Sequence, residues 1–176
     1  QYDDSAQVDW ASGACFVIRA EDFFEQRGFD PHFFAHMEEI DLCWRLRKVG
    51  KKIGYVGSVT VFHQGGATLD RSSPNKLYLN IRNNLSMIYK NVSTLRFFGI
   101  IVAKSLLELA AALGYLFSGK KEFAAAVFQG YRDFFLNKSR TEKSIKNPEM
   151  EVSTSGPVRF IFWNYLVLRK RYFNKL

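Results

Sequence analysis

Cysteine is scarce in this chain: Cys15 and Cys43 are the two in 176 residues. Neither stands at metal-ligand spacing from another donor, and two thiols do not make a disulfide scaffold. Both are expected to be buried free thiols in a reducing compartment. Acidic residues are scarce only in the second half. Residues 1–90 hold 11 Lys/Arg against 11 Asp/Glu, whereas residues 91–176 hold 14 against 6, so the whole net charge of +8 lies in the back half. That excess lacks a compact Lys/Arg groove motif and any known nucleic-acid module, which argues against a nucleic-acid partner. Its charges flank long apolar runs instead, the pattern of an anionic membrane surface.

The densest information lies in residues 33–45, FFAHMEEIDLCWR, where Glu38, Glu39 and Asp41 fall together at the start of a helical pattern. Clustered carboxylates repel one another and usually persist where a cation or a proton-transfer task needs them. The helix N-terminus offsets part of that charge through its dipole. Ile40, Leu42, Cys43, Trp44, Leu46 and Val49 supply a buried face, and Gly50 is the expected stop. The plain alternative is a solvated acidic turn with Asp41 paired to Arg45 four residues on.

The surroundings favour chemistry. Upstream stand VDWASGACFVIRAEDF (residues 8–23) and RGFDPHFF (27–34), and downstream GKKIGYVGSVTVFHQGG (50–66). In this order the pieces resemble the C-terminal part of the catalytic domain of family-2 glycosyltransferases, notably the bacterial rhamnosyltransferase-like branch. That family reads W-x-S-G-A, GGFDE-x-FF, an E-D-x-D-L-C-x-R helix and a strand ending in His. The resemblance covers roughly residues 7–90. Two departures stand out. The Glu-Asp pair is Glu38-Glu39 here, and GGFDE is Arg27-Gly28-Phe29-Asp30-Pro31, one glycine and one acid short. The second departure is expected to alter only a turn, with Gly28 capping the preceding helix.

The resemblance implies an α/β fold: the acceptor-side part of a GT-A type catalytic domain in residues 1–91, followed by a basic, apolar, helical membrane-association region in 92–176. It implies an inverting, metal-dependent transfer of a sugar from a nucleotide-sugar donor to a glycan or lipid-linked acceptor, in cell-surface polysaccharide synthesis at the cytoplasmic face of a bacterial inner membrane. Glu39 takes the catalytic-base position and Glu38 flanks it. Trp10, Ser12 and Gly13 match W-x-S-G-A and, with Asp41, are assigned to substrate binding. Asp41 alternatively supports the helix through Arg45. His63, at the end of a predicted strand, is the expected ligand of a divalent cation, Mn²⁺ suiting imidazole better than Mg²⁺. The nucleotide-binding half and its Asp-x-Asp motif are not found, so the chain is expected to be a fragment, inactive alone. The alternative from another class is a non-catalytic membrane-binding or scaffolding module.

Strands are predicted at residues 7–10, 14–19, 52–56 and 59–63, and helices at 20–27, 38–49, 76–91 and 121–137. Residues 64–75 read as a polar loop carrying Arg71, a candidate phosphate contact. From 95 to 117 the chain is nearly apolar, broken by Lys104 and Glu108, which are spaced to pair on one helix face. Within it, residues 97–117 are long enough to span a bilayer. The charged pair favours an in-plane helix over a spanning one. Residues 138–157 read as a loose linker, and 158–176 mix aromatics with an RKR tract suited to a headgroup layer.

Overall fold

The computed structural model describes residues 4–64 and 73–138. Among them the chain forms, in order, β1 (Ala6–Val8), α1 (Ala20–Glu25), α2 (Glu38–Lys48), β2 (Ile53–Tyr55), α3 (Pro74–Asn91), α4 (Thr94–Phe117) and α5 (Lys121–Asn137). β1 and β2 pair antiparallel, with Ala6 opposite Tyr55 and Val8 opposite Ile53. The α/β expectation holds coarsely, with helices dominating and a single two-stranded sheet among the described residues. Most of 65–75, with Arg71, and the linker and aromatic tail from 139 onward lie outside the described residues.

Helix boundaries follow local chemistry. Ser73 caps α3, its Oγ accepting from the Lys76 amide at 3.2 Å, and Pro74 occupies the first turn where no backbone donor is needed. α2 ends at Gly50, whose φ of +80° carries the chain out of the helix while Lys51 N–H donates to the Leu46 carbonyl at 3.0 Å. α1 ends in the same motif, two residues earlier than expected. Gly28 N–H donates to the Phe23 carbonyl at 2.8 Å, but the left-handed C′ position is taken by Arg27, at φ +59°. This is where the family pattern has its first glycine, so its loss puts a residue with a β-carbon in a conformation that glycine adopts freely.

Two expected strands do not form. Residues 14–19 and 59–63 are irregular, and Val17, Val59, Val61 and Phe62 are all largely exposed. Their apolar residues meet no neighbouring strand among the described residues, and an unpaired strand leaves its backbone groups to solvent. Cys15 is accordingly exposed, against expectation, while Cys43 is buried.

α3, α4 and α5 pack together around Ile81, Leu85, Val92, Phe97, Ile101 and Phe134. Tyr89, Phe97 and Phe134 form an aromatic triad with ring centroids 5.2, 5.7 and 5.9 Å apart. α3 and α5 approach so closely at Gly130 that a β-carbon there would lie 2.7 Å from Ile81 Cγ2. Trp44 of α2 packs on the same core, joining the acidic helix to the helical unit.

α4 is arranged inside out. Its protein-facing stripe carries Phe97, Ile101 and Ala112 together with Lys104, Ser105 and Glu108. Lys104 Nζ lies 2.6 Å from Glu108 Oε1, the Tyr131 hydroxyl of α5 donates to Glu108 Oε2, and Ser105 Oγ donates to that hydroxyl at 3.2 Å. Burial, then the Glu108 hydrogen bond, push the Tyr131 phenol well above its usual range. The outward faces carry Leu95, Phe98, Val102, Leu106, Leu107, Leu113 and Phe117, all exposed. Helix α4 is long and apolar enough to cross a membrane, and 11 % of its most apolar window is buried by the protein.

Candidate functional site

The first turn of α2 presents Glu38, Glu39 and Asp41, and the three face different surroundings. Glu38 Oε2, Glu39 Oε2 and the nearby His36 Nε2 are shielded from solvent and have no hydrogen-bond partner among the described residues. Buried polar atoms are nearly always partnered, and leaving one unpartnered is costly. An unpartnered carboxylate oxygen keeps its capacity to accept a hydrogen bond from a hydroxyl that reaches it.

The loop that delivers this turn is strained. Phe34, His36 and Met37 have φ of +62°, +69° and +76°, and Met37 is the residue that caps α2. Left-handed backbone at non-glycine residues is uncommon and persists where the surroundings over-determine it. Asp30 starts the turn, accepting from the His32 amide at 3.0 Å.

Residues 9–13 run along α2 in register with its i,i+4 ridge. Asp9 Oδ1 pairs with Arg47 Nη1 at 2.9 Å, Ala11 hydrogen-bonds through its backbone to Cys43, and a β-carbon on Gly13 would sit 3.6 Å from Glu39 Cβ, Cγ and Cδ. Two residues of extended chain rise about 6.6 Å and four of helix about 6 Å, so the steps match. Burial raises the Cys43 thiol, opposed by the Ala11 bond and reinforced by the Glu39 charge. The alternation leaves Trp10 and Ser12 off the helix, both exposed, with Ser12 Oγ accepting from the Ala14 amide at 3.2 Å. Gly13 thus lies directly against the Glu39 side chain.

Asp41 is placed differently from a substrate-binding residue. It is 0 % exposed and fully engaged: Oδ2 receives Arg45 Nε at 2.8 Å and Lys90 Nζ at 2.9 Å, and Oδ1 receives Asn91 Nδ2 at 2.7 Å. These surroundings favour the alternative reading, in which Asp41 supports the helix through Arg45, because its side chain has no exposed surface. Arg45 also donates to the Gln26 and Gly28 carbonyls, and Lys90 reaches Asp30 at 2.8 Å above the Phe33 ring. Burial raises the Asp30 carboxyl, but the Lys90 bond and the His32 amide outweigh it and leave it below its ordinary value. Sequence spacing pointed to Arg45; Lys90 and Asn91, some fifty positions away, gave no local signal.

His63 is exposed and ends no strand, since 59–63 is irregular. Among the described residues no three His, Cys, Asp or Glu side chains are grouped to hold a metal ion. The described residues therefore do not assemble a metal centre, and His63 is a single exposed donor.

The chain is similar to glycosyltransferases of glycan synthesis. It is 39 % identical over 62 residues to a rhamnosyltransferase of Escherichia coli, covering 35 % of this chain and 23 % of that protein. It is 37 % identical over 70 residues to an N-acetylglucosaminyl-diphospho-decaprenol L-rhamnosyltransferase of Mycobacterium tuberculosis, covering 40 % and 23 %. It is 30 % identical over 129 residues to a low-salt glycan biosynthesis hexosyltransferase of Haloferax volcanii, covering 70 % and 41 %. The chain thus matches about a quarter of the length of these rhamnosyltransferases, and over that stretch it is similar to them in sequence. No family model and no solved structure matches it.

Proposed function

We propose that this chain supplies the acceptor side of an inverting glycosyltransferase that moves a hexosyl or rhamnosyl group from a nucleotide-sugar donor to a glycan or lipid-linked acceptor. Glu39 is the general base: its unpartnered oxygen takes the acceptor hydroxyl proton as the oxygen attacks the anomeric carbon and the nucleoside diphosphate leaves. Glu38 flanks it and shapes the acceptor side, and the backbone at Gly13 closes over the Glu39 stem. Trp10 offers a ring face to a sugar, and Ser12 borders it. The observation that carries the reading is the unpartnered carboxylate pair at the head of α2 with Gly13 packed on Glu39. The divalent cation expected with the donor is left to groups beyond the described residues, His63 offering it one imidazole.

The inside-out build of α4 supports a second part of the proposal, that α4 is inserted in lipid, with the cytoplasmic face of a bacterial membrane as the proposed location. The Lys104–Glu108 pair, which alone argues against insertion, is turned toward α5 and satisfied there. The same exposed apolar surface is the one observation that favours a membrane-binding module without catalysis.

A panel of nucleoside-diphosphate hexoses and 6-deoxyhexoses, incubated with the full-length protein in membranes and N-acetylglucosaminyl diphospholipid acceptors, tests the reading. Extension of an acceptor by one sugar is the expected result. Membrane binding with no extension by any donor favours the non-catalytic module.

A further inference from the structure

Helix α3 carries Arg82 and Asn83 on the side that meets the strained loop, and Arg82 Nη2 and Asn83 Nδ2 donate to that loop's carbonyls. Asn83 is 0 % exposed, and its Nδ2 donates to the carbonyls of Phe33, Ala35 and His36 at 2.8, 2.7 and 2.9 Å. Arg82 Nη2 donates to the carbonyls of His32 and Phe33 at 3.1 and 3.2 Å. Arg82 Nε donates to Asn83 Oδ1 at 2.9 Å, which turns the amide so that its NH₂ faces the loop. Beside them Asn84 Nδ2 approaches Met37 Sδ at 3.9 Å.

We propose that Arg82 and Asn83 are positioning residues for the carboxylates at the head of α2. Two consecutive side chains gather four carbonyls from residues 32–36, the stretch whose left-handed turns aim Glu38 and Glu39. A left-handed loop without glycine does not hold itself. The clamp supplies the missing constraint from a helix already fixed by α5 and by the aromatic triad. This deepens the reading of Glu39 as the base and rests on it.

Two measurements on the full-length protein test the clamp. The first needs no substrate: amide hydrogen exchange at Phe34, His36 and Met37 should quicken in Arg82→Ala and Asn83→Ser while α3 and α5 exchange as in the parent. Unchanged loop exchange in both variants overturns the proposal. Asn83 is fully buried, so Arg82→Ala, at a half-buried site, guards against loss of folding. The second uses the nucleoside-diphosphate hexoses with N-acetylglucosaminyl diphospholipid. Displacement of a reacting group by an ångström costs about 10²-fold, so kcat should fall by about that factor with the donor KM unchanged. Arg82→Lys, which keeps a cationic donor, should restore most of it. Parental kcat in Arg82→Ala and Asn83→Ser beside an inactive Glu39→Gln overturns the clamp alone. An active Glu39→Gln instead overturns the assignment of the base on which the clamp rests.

Discussion

Helices α2 and α4 reverse the usual placement of polar and apolar residues in opposite ways. α2 and its partner α3 bury Asp41, Arg45, Lys90, Asn83 and Asn91, all but invisible to solvent, joining Arg45, Lys90 and Asn91 to Asp41 and Asn83 to the loop carbonyls by hydrogen bonds. α4 exposes leucine, valine and phenylalanine on most of its circumference and turns its charged pair inward. Hydrophobic burial is non-directional and fixes no angle, whereas a network of charge-assisted bonds fixes each member in one geometry. The first arrangement therefore suits a place where carboxylates must be aimed. The second suits a surface whose neighbour is apolar, because lipid removes the hydration cost of exposed side chains and charges the cost of exposed ions.

The comparison breaks most visibly at α4. Leu106→Asp with Leu107→Asp, both at exposed positions, should move the protein from the membrane to the soluble fraction without loss of helical circular dichroism. Each aspartate opposes insertion by about 2.5–3.5 kcal/mol at mid-bilayer. High salt should fail to release the parent, since screening weakens charge attraction and not apolar insertion. Release of the parent by salt alone would assign its binding to the basic residues.

Asp41→Ala acts on the other side of the comparison. It leaves Arg45 without its carboxylate and takes from Lys90 one of two, so unfolding in urea should come earlier by about 3–5 kcal/mol. A change below about 1 kcal/mol would mean that solvent reaches the network, as it reaches surface pairs.

Smaller effects sharpen the picture. Gly130→Ala forces a methyl against Ile81 Cγ2 and Cβ, and against the Arg82 amide at 3.3 Å, so about 1–3 kcal/mol of stability should be lost. Since the strain falls beside Arg82, amide exchange in residues 32–37 should rise with it. Acid should act through Asp30. Its folded carboxyl lies below the ordinary value of 3.8, so the stability it contributes is present above that pH and is lost as pH falls through the lower folded value. Asp30→Asn should flatten the acid limb of a thermal-melt profile there, and an unaltered limb would assign acid sensitivity to other carboxylates.

Much of the helical framework was legible because its signals are local. The 121–137 helix, the stop at Gly50 and the Lys104–Glu108 pair follow from spacing, caps and periodicity. The carboxylate cluster was also legible, since it sits in one turn. The division of labour within it was legible only in part, through the i,i+4 spacing of Asp41 and Arg45. What separates Asp41 from Glu38 and Glu39 is the arrival of Lys90 and Asn91 from α3, and no local pattern encodes a contact across some fifty residues. Arg82 and Asn83 escaped notice for the same reason: on the helical wheel they lie off the apolar stripe, which reads as solvent-facing. The strands expected at 14–19 and 59–63 failed differently. Apolar runs report which residues favour burial, but a strand also needs a partner edge, and the described residues present none at these two segments.

The transfer rate of Glu39→Gln in the full-length protein, measured at saturating donor with donor affinity determined on the same preparation, tests the central claim most directly. The amide keeps the shape of the side chain against Gly13 and cannot take the hydroxyl proton. The account predicts a fall of about 10²–10⁴ in kcat with donor affinity nearly intact. Transfer within a few-fold of the parent would contradict it, and the unpartnered oxygen of Glu38 would then be the carboxylate to examine.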